Sequence, residues 1–381
     1  MDTPAGWQAA LDRRATLRAK AGLARQLRPR QATDQVIDLA GNDYLGLSRH
    51  PEVIAAAASA LSGYGLGATG SRLVRGSTDL HAALEAALTG WLRAESALVF
   101  SSGYLANLGA VRALVQPNTV LVSDAHNHAS LIDGCRISGA HTVVVPHADP
   151  AAVAAALAEH AGRPAVVLTE SVFSVDGDLA PLTELHAVAR RHGALLLVDD
   201  AHALGLLGPE GAGGVAAAGL AGEPDVVVTA TLSKSLGGVG GVVAGPAVLH
   251  RHLVDTGRTF IYDTALPPAV AAGVSAALAL VRAGDQLRAE LADRASTAVN
   301  RLHAAGFAVS APAAGVISVP APGPETAVSW AADCRDRGVA VGCFRPPSTP
   351  DNRSRLRLTV NVGVPRKDFD RALDVIVECA P

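Results

Sequence analysis

The stretch Thr229-Ala230-Thr231-Leu232-Ser233-Lys234-Ser235-Leu236-Gly237-Gly238 follows directly on a β-branched run, Asp225-Val226-Val227-Val228, and leads into further glycines at 240 and 241. It reads as a buried strand that releases one lysine between small hydroxyl residues. Lysine is rarely buried without a partner or a task. Once desolvated, its amine loses a proton and attacks carbonyl carbon, forming a Schiff base. A solvated loop lysine is the plainer alternative, and the rest of the chain decides between them.

Similar β-branched runs stand at 97–100, 119–122, 142–146, 165–169, 194–198, 225–230 and 241–244, with helical patterns between them. Continuous apolar strands alternating with helices predict an α/β fold, a mostly parallel sheet covered on both faces. Helices are expected at 7–27, 51–62 and 104–115, from the Asp149-Pro150 cap, from Leu182 to a stop at Gly193, and at 267–283 and 285–305. A short strand near 38–40 and three more at 316–319, 339–343 and 355–360 suggest a second α/β lobe. The expected organisation is an N-terminal helix and arm over 1–45, a large domain over 46–275, and a small C-terminal domain over 276–381.

In parallel sheets, ligands bind beyond the carboxyl ends of the strands. The polar segments Ser101-Ser102-Gly103-Tyr104, Ser123 to His128, Glu170 to Ser174, Asp199-Asp200-Ala201-His202 and Thr231 to Lys234 all fall there. The literal GxGxxG at 65–70 follows a helix rather than a strand, so it is read as a flexible loop and not a dinucleotide site.

Composition removes other classes. A formal net charge of −3 over 381 residues argues against a nucleic-acid surface. No apolar run approaches the roughly 20 residues of a membrane helix. Cys135, Cys334, Cys343 and Cys379 are scattered without a CxxC pair, which fits reduced cytosolic thiols. His126 and His128 offer zinc two ligands with no third at suitable spacing, so no metal is expected. The basic run from Arg13 to Arg30 raises a transit peptide, but it passes straight into folded-looking sequence without a small-residue cleavage region. A basic helix lying across a site for an acidic substrate is the other reading.

The strand-end residues match what pyridoxal 5'-phosphate requires: a lysine, an acid for the ring nitrogen, and anion donors at a helix N-terminus. Lys234 supplies the first and Asp199 the second. Ser102, Gly103 and Tyr104 open the helix at 104–115, and Thr231 and Ser233 add hydroxyls. The chain resembles the pyridoxal-phosphate α-oxoamine synthases of fold type I. The motifs are Asn42-Asp43-Tyr44-Leu45-Gly46-Leu47, Ser101 to Tyr104, His128-Ala129-Ser130, Val172 to Asp178, Val198 to His202, Thr231 to Lys234 and Arg345-Pro346-Pro347.

The resemblance implies that Lys234 holds the cofactor and removes the substrate's α-proton, and that His128 stacks on the ring. It implies that His202 and Ser174 lie near the phenolic oxygen, and that Thr231 binds phosphate. Thr264 would reach the partner subunit's phosphate, so a homodimer with shared active sites is expected. Arg357 would hold an amino-acid carboxylate, and Arg25 and Ser348 the acyl substrate. The implied reaction is decarboxylative condensation of L-alanine with a pimeloyl thioester; family members that use glycine are the alternative. A non-catalytic regulator of the same fold is a remote third reading. Ala203 departs from a frequent glycine, Ser348 from a frequent threonine, and Asn361-Val362-Gly363-Val364 from a small-residue and histidine pattern.

Overall fold

Seven of the apolar runs become strands of one sheet in the computed structural model, which describes residues 5–309 and 312–381. In chain order the strands are Ile37–Leu39 (β1), Ser96–Phe100 (β2), Val120–Asp124 (β3), His141–Val145 (β4), Ala165–Glu170 (β5), Leu195–Asp199 (β6), Val226–Thr231 (β7) and Gly241–Gly245 (β8). Val316–Pro320 (β9), Val339–Phe344 (β10) and Arg355–Thr359 (β11) follow. The large sheet has the order β2-β8-β7-β6-β5-β3-β4. Its neighbours pair parallel from β7 through β4, while β8 runs antiparallel to both β7 and β2. The Lys234 loop causes that reversal, because it returns the chain directly beside β7 without a crossover helix.

Every residue of β3 and β7 is buried. Apolar residues on both faces follow from helices covering both sides. Leu84, Leu88, Leu196 and Val198 lie in one core on one face, and Leu121, Leu168, Leu197 and Leu131 in a second on the other. Asp149 caps the helix Pro150–Glu159 as its sequence suggests, its Oδ1 accepting from the N–H groups of Ala151 and Ala152 at 2.9 Å each.

The N-terminal helix is shorter than expected. It spans Ala5–Lys20 rather than 7–27. Gly22 takes a left-handed φ of 65°, and the Arg345 guanidinium donates to the carbonyls of Gly22 and Ala24, drawing the chain away from the helix axis. Trp7, Leu11, Leu17 and Leu27 are exposed.

The second sheet has the order β1-β10-β11-β9. β1 pairs parallel with β10, so Ile37 stands opposite Val339 across some three hundred residues of chain. The arm thus joins the same sheet as the C-terminal strands, and this sheet presents Arg357 from the middle of β11.

No single helix among the described residues is long and apolar enough to cross a membrane.

Candidate active site

Five strand ends converge on one cavity of about 240 Å³. Its lining includes Ser102, Gly103 and Tyr104 after β2, His128 after β3, Glu170 at the end of β5, Asp199 and His202 from β6, and Thr231, Ser233 and Lys234 after β7. Parallel β3, β5, β6 and β7, with β2 running in the same sense, bring all these ends to one edge. Lys234 and Asp199 therefore share a cavity, as their positions at strand ends predict.

Lys234 Nζ lies 2.8 Å from His202 Nε2, and His202 Nδ1 lies 2.6 Å from the Tyr44 hydroxyl. With Nε2 accepting from the amine, the imidazole proton sits on Nδ1 and is donated to Tyr44. Burial pulls the Lys234 amine down to about 8; Asp199 opposes this, while Arg357 adds to it. His202 is held well below the usual histidine range, first by burial and then by the charges of Lys234 and Arg357. It is therefore a neutral acceptor beside an amine that is easily deprotonated.

Asp199 is fixed from two sides. Its Oδ2 accepts from Asn107 Nδ2 at 2.6 Å and its Oδ1 from the Ala201 N–H at 3.0 Å. Asn107 also donates to Ser130 Oγ at 2.8 Å, and Ser130 Oγ lies 2.7 Å from His128 Nδ1. A chain of contacts thus joins the carboxylate to the ring expected to stack on the cofactor. Asn107 and Ser130 were not singled out from sequence. The signal was available, because Asn107 lies one helical turn beyond Tyr104 and shares its face.

At the opposite end, Thr231 Oγ1 lies 2.7 Å from Ser233 Oγ and accepts from the Ser233 N–H at 3.2 Å. Ser102 caps the helix Gly103–Leu114, leaving its first N–H groups without helical acceptors. A β-carbon on Gly103 would stand 2.9 Å from Thr231 Cβ. Glycine therefore keeps open a concave, donor-lined end suited to phosphate.

Arg357 is buried near the cavity. Its Nε donates to the Ser174 carbonyl at 2.7 Å, and Nη1 and Nη2 donate to Asn42 Oδ1 at 3.0 and 3.1 Å. The Ser174 N–H donates to Glu170 Oε2 at 3.1 Å. Arg25 donates to Ser348 Oγ at 2.9 Å, and both line a separate small cavity with Phe344, whose ring lies against Arg357. The two residues expected on the acyl side are thus together. Thr264 is exposed and does not line the cavity of its own chain. Ala203, the departure from glycine, is fully buried in the core.

Behind the site, His147 joins two loops. Its Nδ1 faces Asp124 Oδ1 at 3.0 Å and its Nε2 faces Asp178 Oδ2 at 2.8 Å, with His126 stacked on it at 3.9 Å. Burial opposes the charge on His147, but the hydrogen bonds from Asp124 and Asp178 outweigh it and push the imidazole up to about 9. A raised histidine contributes stability fully below its ordinary value near 6.5, and loses that contribution as pH rises through about 9. His147→Gln should therefore unfold more easily than wild type at pH 6, by about 1 kcal/mol once solvent screening of the half-buried ring is allowed for. The difference should shrink toward pH 10. Denaturant titrations at both pH values check this, and a pH-independent difference would refute it.

The aminotransferase class I and II family model matches residues 34–376. The chain is 52% identical over 376 residues to the 8-amino-7-oxononanoate synthase of Mycolicibacterium smegmatis, covering 99% of this chain and 97% of that one. Serine palmitoyltransferase of S. paucimobilis, solved with a bound PLP–myriocin aldimine, superposes with a TM-score of 0.92 at 29% identity. That match covers 100% of this chain and 98% of the other. The 8-amino-7-oxononanoate synthase of Francisella tularensis superposes with a TM-score of 0.77 at 26% identity, over 90% and 97% of the two chains.

Proposed function

Because the chain belongs to the aminotransferase class I and II family, we propose that it uses pyridoxal 5'-phosphate to condense L-alanine with a pimeloyl thioester. The products are 8-amino-7-oxononanoate, the free thiol and CO₂, a step of biotin synthesis. The observation that carries this reading is Lys234 and Asp199 facing one cavity with a donor-lined end.

The residues fit the cofactor. Buried Glu170 Oε1 and Asn107 Oδ1 have no partner among the described residues, and Gly103 lets the helix start approach Thr231 so closely that a β-carbon would stand 2.9 Å from Thr231 Cβ. Ser102, Gly103, Tyr104, Thr231 and Ser233 would hold the phosphate, Asp199 the ring nitrogen, His128 the ring face, and His202 and Ser174 the phenolic oxygen. When bound, the cofactor supplies an electron sink that makes the α-proton of alanine acidic. Lys234 Nζ, whose amine burial pulls down to about 8, takes that proton. His202 holds the amine in place, and Tyr44 fixes the imidazole. Arg357 would clamp the alanine carboxylate with its planar fork, and Arg25 with Ser348 would receive the acyl substrate. Thr264 would complete the partner's site in a cytoplasmic homodimer.

Purified protein given pyridoxal phosphate, alanine and pimeloyl-CoA should release thiol and 8-amino-7-oxononanoate. Turnover with glycine and acetyl-CoA, and none with alanine and pimeloyl-CoA or a pimeloyl carrier protein, would overturn this substrate assignment.

A further inference from the structure

Glu170 ends β5 directly opposite Asp199 at the end of β6, and both side chains line the cavity. Glu170 is 2% exposed. Its Oε2 accepts from the Ser174 N–H at 3.1 Å. Its Oε1 is buried without a partner among the described residues. One carboxyl oxygen thus holds the Ser174 segment, and the other is left over at the cavity.

We propose that Glu170 is a positioning residue: its Oε2 holds the Ser174 segment, while its Oε1 donates a hydrogen bond to the ligand seated in the cavity. This rests on the reading of the site as a pyridoxal phosphate site.

Two carboxylates side by side in a dry cavity do not both ionise. Asp199 has two donors of its own, from Asn107 and Ala201. Glu170 is pushed well above the usual carboxylate range, first by burial and then by Asp199, with Lys234 opposing. The other charged or titratable groups around this end are His128, His202 and Arg357. The division of labour is chemical: Asp199 is held by its two donors, and Glu170 supplies a donor of its own.

The test uses full-length apoprotein and pyridoxal phosphate as the probe. Equilibrium dialysis measures affinity, and a pH titration of the visible absorbance of the loaded protein measures the charge sensed near Lys234. Glu170→Ala should loosen binding about 10-fold, the loss of a buried hydrogen-bonding group. Glu170→Gln keeps an N–H donor and a carbonyl acceptor. It should stay within about 3-fold of wild type and leave the titration midpoint in place. Wild-type affinity in Glu170→Ala would overturn the proposal. So would a Glu170→Gln midpoint lowered by about 1 pH unit, since that marks the removal of a negative charge. If Glu170→Ala does not fold, the Glu170→Gln midpoint decides alone. Wild-type protein that takes up no cofactor overturns the reading of the whole site; normal uptake with undisturbed variants overturns this inference only.

Discussion

Lys234→Ala should abolish condensation of alanine with a pimeloyl thioester, lowering kcat by at least about 10⁴-fold. Two losses combine in this variant. The side chain is the one amine in a cavity otherwise lined by hydroxyls, imidazoles, carboxyls and an amide, so nothing nearby can replace it as nucleophile. It is also the base best placed by its depressed affinity for protons. His202, 2.8 Å away, is a poor substitute, because burial holds its imidazole well below the usual histidine range. The phosphate end does not depend on the amine, so the variant should still bind pyridoxal phosphate, though without the visible absorbance of the wild type. Steady-state kinetics and spectra of the loaded proteins test both halves. Residual turnover within 100-fold of wild type would move the chemistry to another residue.

Asp199→Asn should be the next most damaging change, lowering kcat about 10²- to 10³-fold, the usual consequence of removing a preorganised charge from a dry site. Shape is preserved, because the amide carbonyl can still accept from Asn107, whose Nδ2 lies 2.6 Å from Asp199 Oδ2. The effect should therefore appear in turnover more than in folding. Glutamate at 199 would keep the charge but lengthen the side chain against Asn107 and Ala201, and should recover little. Kinetics with saturating cofactor, set beside thermal unfolding of the apoproteins, separate the two contributions. An Asp199→Asn protein with wild-type kcat would remove Asp199 from the mechanism.

Much of this architecture is legible in residues. Each of the seven β-branched runs is a strand, because both faces of the sheet are covered and a nearly unbroken apolar run is then required. The ends of those runs held the lysine, the aspartate and the hydroxyls together, since parallel strands deliver their carboxyl ends to one edge. What local sequence could not carry was long-range contact. Arg345 ends the first helix early from more than three hundred positions away. Asn107, Ser130 and Tyr44 join the site through side-chain bonds across separate elements. The helix Asp79–Leu92 begins with a capping box in which His81 fills the place usually held by Glu or Gln. Trp7, Leu11 and Leu17 in the first helix are exposed, so no packing within the described residues could be read from them.

The pairing of β1 with β10 means that the two ends of the polypeptide are sewn into a single fabric. A fragment carrying only the last hundred residues would present a naked strand border, open to adhesion with its own copies. During synthesis the first strand finds its neighbour only after β10, some three hundred residues later, has left the ribosome.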